Sequence, residues 1–380
     1  MRLVVKILGV LIALGAMAFA VVWFVPSVQD WLIKTATTRG IAKANHLPFM
    51  EDDALHILLC GTGSPMPDLT RASACVAVIA GGQVVVIDSG PGSWEKIAAT
   101  GVPPAKIDTV LLTHLHSDHI GDLGELANQT WMGGRKVPLE VYGPPKPDAA
   151  AWRTTGTGQP FGAFGTEDVT AGFAAAYNAD AAFRILHQGP DIVSPEGGRL
   201  IGHDIAKPGP DEAVTVYDRG GLTIEAFLVN HDPVEPAYGY RVSYGGRVAV
   251  ISGDTVKVPN MVRFSKGADV LIHEGLNHNL DEILATALEQ NGRADQAKIA
   301  RKIMDYHTAP TDAAAIAGEA GVKLLVFTHM VPPLRNALMR RMFLRGVKAQ
   351  RGKGDTILGR DGLLITLPKG SDAIKTQPLL

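Results

Sequence analysis

The feature that most limits how this chain can fold is a repeated coincidence at the ends of apolar runs. "VLLT" leads into His114, "FLVN" into His231, "VAVISG" into Asp254, "VLI" into His273 and "LLVFT" into His329. Each run has the length and the Val, Ile and Leu content of a buried strand. Each ends in a residue type that can ligate a metal. In layered α/β folds the loops at strand ends carry the chemistry, because the sheet holds them rigidly. One such ending means little, but five in one chain form a pattern.

The first ending carries more than one ligand. "LLTHLHSDHIGD", residues 111–122, crowds three histidines and two aspartates between His114 and Asp122. His114 and His116 lie two apart, so on extended backbone they project to the same side. Asp118 and His119 follow where the chain turns into a helix, and there a second pair can face a second ion. Imidazole and carboxylate ligands without thiolate suit Zn²⁺, and Mn²⁺ or Fe are chemically tolerable. A single histidine at a strand end is ordinarily a satisfied polar residue. His114, His116, Asp118 and His119 together are not so explained.

Around these endings the sequence alternates strands and turns from about Leu55. "LHILLC", "CVAVIA" and "QVVVIDSG" read as short strands, "WEKIAATG" as a helix closed by Gly101, and "DHIGDLGELANQTW" as a helix capped by Ser117. A second strand series runs from "LTIEAFLVNH" to "VKLLVFTH", with helical segments at 280–291, 294–306 and 311–320. Two strand-rich halves with interspersed helices predict an α/β fold, two sheets packed as a four-layer αββα sandwich. Residues 144–213 are rich in Gly, Pro and Ala and read as an insertion bordering the site. The expected boundaries are 1–26 for an N-terminal anchor or signal segment, 27–54 for a linker, 55–370 for the main domain and 371–380 for a tail.

Residues 7–25, "ILGVLIALGAMAFAVVWFV", are uncharged and mostly apolar behind Arg2 and Lys6. As a helix they span about 28 Å, close to a bilayer's hydrocarbon thickness. The apolar run outlasts the small-residue cleavage candidate "AFA", so the reading is an uncleaved membrane anchor with the body outside the cytoplasm. Secretion after signal-peptide cleavage is the alternative. Cys60 and Cys75 sit in apolar strands and read as thiols, although an exported chain could pair them. With 36 Lys and Arg against 38 Asp and Glu the chain shows no basic excess, which argues against a dedicated nucleic-acid binder. "MRRMFLRGVKAQRGK" reads as a solvated helix end.

The motif "THLHSDHIGD" resembles the HxHxDH signature of the metallo-β-lactamase superfamily. "NHDPVEPAYGYRV", "ISGDT", "IHEG", "YHTAP" and "LLVFTH" are similar to its ribonuclease Z and arylsulfatase-like branch, over roughly residues 55–335. The resemblance implies a binuclear zinc centre. His114, His116 and His231 would hold one ion, Asp118, His119 and His329 the other, with Asp254 bridging. It also implies hydrolysis by a water activated between the ions, which Asp118 would orient or deprotonate. His307 would be the proton donor to the leaving oxygen, with Glu274 as its orienting partner. His273 and Asp88 read as structural, Asp88 holding the metal-binding loop. Oxygen-reducing members carry Glu at the position of His116, which argues against a redox role, and the filled ligand set argues against a non-catalytic scaffold.

The expected reaction is hydrolysis of a small anionic ester, a phosphodiester or an aryl sulfate. A lactonase or carboxylic ester hydrolase is second, and tRNA 3′ processing is third. The third place rests on two points. RNA-processing members insert a long arm between the third and fourth metal motifs, and only 22 residues separate His231 from Asp254 here. A body outside the cytoplasm would also not meet tRNA precursors. "AYNADAAFR" within the insertion looks arylsulfatase-like, and Arg184 is expected to pair with Asp180. A homodimer is expected from the resemblance alone.

Overall fold

The computed structural model describes residues 2–44, 47–147 and 164–380. His46 and part of the expected insertion lie outside them. The chain divides into two units, Met1–Pro48 and Phe49–Leu380.

In the first unit the apolar run forms one helix, Arg2–Phe24, and Pro26 opens a second, Pro26–Ala44, within the segment read as a linker. Val4–Phe24 is long and apolar enough to cross a membrane, and none of it is buried. A signal sequence has the same properties.

In the second unit the apolar runs become strands: β1 (Ala54–Gly61), β2 (Cys75–Ala80), β3 (Gln83–Ile87), β4 (Ile107–Leu111), β5 (Leu139–Gly143), β6 (Leu200–Asp204), β7 (Ala213–Arg219) and β8 (Leu222–His231). They continue with β9 (Val234–Tyr244), β10 (Arg247–Ile251), β11 (Val270–Leu276), β12 (Leu324–Val331), β13 (Asp355–Leu358), β14 (Leu363–Pro368) and β15 (Lys375–Pro378). One sheet has the order β15-β14-β1-β2-β3-β4-β5-β6, the other β13-β12-β11-β10-β9-β8-β7. Ile57, Val78 and Val85 of the first sheet pack into one core with Tyr240, Val270 and Val326 of the second. Each such side chain, once buried, contributes roughly 1.5–3 kcal/mol. The other face of the second sheet packs Leu271, Leu325 and Phe327 against helices that include His278–Gln290 and Pro310–Glu319.

Neighbours β3 to β6 run parallel, as do β10 to β13. The residues singled out as ligands follow the carboxyl ends of β4 and β10 or lie within the last residues of β8 and β12. This is where the loops of parallel sheets come together.

Three expectations change, and the helical Arg184–Asp180 pair expected in the insertion is present. Cys60 and Cys75 form a disulfide, because β1 and β2 are antiparallel neighbours whose register brings the two Cα atoms to 5.0 Å. The helix expected after the histidine motif is two: a single turn, Ser117–Ile120, and Leu123–Met132, separated at Gly121 and Asp122. Ser117 opens the first turn from inside and no side chain caps it. The segment 144–213 carries a regular 23-residue helix, Thr166–Gln188, on which Arg184 pairs with Asp180 at 2.6 Å. The expected C-terminal tail forms β15, which pairs with β14.

Candidate metal centre

The first ligand loop is built on Asp88. This residue ends β3 with φ at 60°, a left-handed conformation that few non-glycine residues adopt and that tends to mark functional sites. Its carboxylate accepts the backbone N–H and the hydroxyl of Thr113, both at 2.8 Å, and contacts His119 Nδ1 at 2.8 Å. That contact leaves His119 Nε2 facing inward. The second sheet props the same loop: Tyr240 donates its hydroxyl to Leu112 O at 2.6 Å and Tyr238 donates its N–H to Thr113 O at 2.9 Å. Gly90 admits the loop closely, since a Cβ there would lie 2.0 Å from Asp118 O.

The remaining ligand types arrive singly. His231 ends β8, and its Nδ1 faces Tyr306 O at 2.9 Å, which fixes the ring with Nε2 toward the centre. Asp254 follows Gly253, whose φ of 60° and close approach to Tyr238 O exclude a side chain. His329 lies near the end of β12, two residues before Val331, with φ at 42°.

These residues converge. His114 Nε2 and His116 Nδ1 are 2.9 Å apart, and His116 Nδ1 and His231 Nε2 are 3.4 Å apart. Asp118 Oδ2 lies 3.0 Å from His329 Nε2 and 3.6 Å from His119 Nε2. Asp254 Oδ2 stands between the two sets, at 3.4 Å from His119 Nε2, 3.4 Å from His329 Nε2 and 3.9 Å from His114 Nε2. Within each triad, His114–His116–His231 and Asp118–His119–His329, the ligand atoms lie within 4.8 Å of one another. All are buried except His116, which opens the centre to solvent.

The electrostatics fit a cation. Burial, reinforced by neighbouring imidazoles, pushes His114 well below its ordinary range and His116 down to about 4, so both remain neutral with free lone pairs. At His119 burial is outweighed by Asp254 and Asp88, which raise it well above. Burial also opposes ionisation of Asp118, but His329 and His119 hold its carboxyl at about 2. The buried His119 Nε2 and Asp254 Oδ1 have no hydrogen-bond partner among the described residues. Such unpaired atoms cost free energy unless something else, such as a metal ion, satisfies them. The donor set therefore fits a divalent ion of the zinc type.

Beside it, Glu274 is buried. Its Oε1 accepts the Thr308 N–H at 2.8 Å and contacts His307 Nδ1 at 3.1 Å. The His307 ring stands 5.6 Å from that of His329 and 5.1 Å from that of His231. Burial disfavours its charge, but Glu274 overrides this and raises His307 to about 9. His273 points elsewhere, with Nδ1 on Glu274 O at 2.8 Å, and joins neither triad.

One part of the site carried no sequence signal. Asp361 accepts Thr62 N at 3.0 Å and Ala72 N at 2.6 Å, closing the β1–β2 loop from 289 residues away. Arg71 in that loop donates to Thr62 Oγ1 and, at 2.9 Å, to Gly359 O.

Comparison with known proteins agrees with this architecture. Residues 69–288, more than half of the chain, match the metallo-beta-lactamase superfamily, and the chain belongs to that family. It is 36% identical over 283 residues to a ribonuclease Z from Mycobacterium avium, covering 74% of this chain and 87% of that one. A ribonuclease Z from Mycobacterium marinum is 35% identical over 288 residues, covering 74% and 88%. Among solved structures, the short form of human tRNase Z superposes with a TM-score of 0.53 at 21% identity, over 82% of this chain and 99% of that one. The chain is a metal-dependent hydrolase of this superfamily.

The relatives correct the expected substrate. A small anionic ester was placed first and RNA third, yet proteins named ribonuclease Z match this chain across most of their length. The missing arm was weighed too heavily. Between His231 and Asp254 the structure does hold only β9, a Gly245–Gly246 turn and β10, but that says where an RNA grip is not, rather than that none exists.

Proposed function

We propose that this chain is a metal-dependent endoribonuclease of the ribonuclease Z kind, hydrolysing an RNA phosphodiester as in the removal of a 3′ extension from tRNA. The observation that carries the reading is the convergence of both triads on Asp254 beside the His307–Glu274 pair, in a chain that matches ribonuclease Z relatives over 87% of their length. His114, His116 and His231 would hold one ion and Asp118, His119 and His329 a second, with Asp254 shared. Bound there, divalent ions would supply Lewis-acid stabilisation of charge on phosphorus and a water acidified toward neutral pH.

The chain's own residues do the rest. Asp118 accepts a proton from the attacking water and keeps it in line. His307, charged and held through Nδ1 by Glu274, gives its Nε2 proton to the departing ribose oxygen. The buried Glu274 cannot be reached by solvent, so it positions the ring and favours its charged form. Exposed His116 marks the side from which the strand enters.

The test is cleavage of a tRNA precursor by the metal-loaded full chain, with the ends of the products mapped. A single cut at the start of the 3′ extension, abolished by chelator, is expected. Intact precursor alongside hydrolysis of bis(p-nitrophenyl) phosphate would overturn the RNA assignment while leaving a phosphodiesterase.

Location is proposed separately. Arg2 and Lys6 ahead of the apolar helix, together with the Cys60–Cys75 disulfide, favour an anchored body outside the cytoplasm, where the RNA cut would be RNA on that side of the membrane. Protease applied to intact spheroplasts should then degrade the body. Full protection would put it in the cytoplasm.

A further inference from the structure

Residues 320–354 hold eight Lys or Arg and not one Asp or Glu, in a chain whose acidic residues outnumber its basic ones. The run begins just before β12 and passes through His329. It continues through the helix Ala337–Phe343 and the short helix Val347–Arg351. On Ala337–Phe343 the apolar residues Met339, Met342 and Phe343 share one face. Arg340 and Arg341 fall on the opposite face and are exposed, as are Arg345 and Lys348 just beyond.

Four exposed or half-exposed arginines elsewhere are paired with acids, Arg184 with Asp180, Arg199 with Glu196, Arg263 with Asp211 and Arg301 with Glu282, while Arg293 and Arg360 stand singly without one among the described residues. Arg340, Arg341, Arg345 and Lys348 pair with no carboxylate among the described residues. Unpaired like charges in a cluster repel one another, so their grouping suits an external anion.

The helix that carries the cluster packs against β12, the strand that holds His329. Phe343 packs edge-on against Phe327, two residues before His329, with ring centroids 5.2 Å apart. The Asn277 amide, three residues past Glu274, reaches the carbonyls of Met342 and Phe343 at 3.4 Å.

We propose that this basic face grips the phosphate backbone of the RNA strand whose scissile bond lies in the metal centre. The inference rests on the endoribonuclease reading and extends it with a holding surface. Three of the four unpaired cations are arginines, whose planar forks match phosphate oxygens two at a time. The face is part of the folded body and does not depend on an arm between β8 and β10.

The experiment compares the full chain with its Arg340→Gln/Arg341→Gln/Arg345→Gln variant. Binding of a labelled RNA hairpin with a single-stranded 3′ extension is measured over about 50–200 mM salt, with cleavage followed in parallel. Each lost phosphate contact lowers the slope of log affinity against log salt by about 0.7 on a single strand. The variant should therefore show a slope shallower by about 2, and binding at least tenfold weaker at the lower salt. Equal slopes and affinities would overturn the inference. So would a variant whose only defect is weaker attachment to phosphatidylglycerol vesicles, which would assign the face to a membrane. RNA bound with the expected slope but left uncut would support the gripping face and overturn the catalytic reading instead.

Discussion

The two sheets equip the centre in different ways. The first supplies His114, His116, Asp118 and His119 from one loop six residues long, whose side chains are braced by Asp88 and whose entry is propped by Tyr238 and Tyr240. The second supplies His231, Asp254, Glu274 and His329 at or near the carboxyl ends of four separate strands, each held by its own neighbours. A contiguous loop places its ligands through local turns and one side-chain anchor. A distributed set places them only when the whole sheet is in register. The first half should therefore fail locally and the second globally.

The largest effect is expected at Asp254, the only carboxylate among the described residues that faces both triads. Asp254→Ala should lose metal from both and lower hydrolysis roughly a thousandfold or more, since the ions' charge stabilisation is worth several kcal/mol. Elemental analysis that finds two tightly held ions in the variant would remove Asp254 from its shared position. His307→Ala should keep its metal and slow substrates with poor leaving groups by about a hundredfold to ten-thousandfold, sparing good ones. Equal slowing of both kinds would leave the ring no part in proton transfer.

Asp88→Asn tests the side-chain anchor of the first half. Metal affinity should weaken about 10–100-fold, the usual cost of losing a ligand's orienting partner. An unchanged affinity by competitive chelation would mean that Thr113 and His119 hold their places without it. Two smaller effects concern stability. Replacing Cys60 and Cys75 by Ser frees a 15-residue loop in the first sheet, which corresponds to about 3 kcal/mol on the chain-entropy account. Denaturant midpoints of the oxidised protein and the variant measure it, and coincident curves would deny the crosslink a role.

Asp281, on the helix after β11, tests the second half. Both its oxygens are buried without a hydrogen-bond partner. Burial, with help from Glu282, raises its carboxyl from 3.8 to about 6. The folded state thus binds this proton more tightly than the unfolded chain does. Its contribution is intact below pH 3.8 and is lost as pH rises through about 6. Asp281→Asn should be the more stable protein above pH 6, by on the order of 2 kcal/mol, and the difference should vanish near pH 4. A gap that does not change with pH would trace the effect to packing.

The same contrast explains what could be read from the sequence. His114 to His119 stand together, so spacing alone exposed them. His231, Asp254 and His329 were legible because each closes an apolar run, and a buried strand is visible as such. The Cys60–Cys75 bond was not, since both residues look like buried thiols until β1 and β2 are seen to be neighbours. Asp361 gave no signal because its partners lie at the other end of the chain. The substrate was misjudged for a related reason. The absence of one known gripping segment was visible, whereas a cluster such as Arg340, Arg341 and Arg345 shows its lack of acidic partners only after folding.

The position of β1 between β14 and β2 also bears on how the protein is made. The first strand of the body to leave the ribosome finds β2 within some twenty residues but waits for β14, which begins at Leu363. Until β14 is made, one edge of a wholly buried strand stays open to pairing with other chains. A nascent chain stalled between Gly143 and Leu363 thus carries the HxHxDH loop on an unfinished sheet, and its need for a chaperone should last until β14 is made.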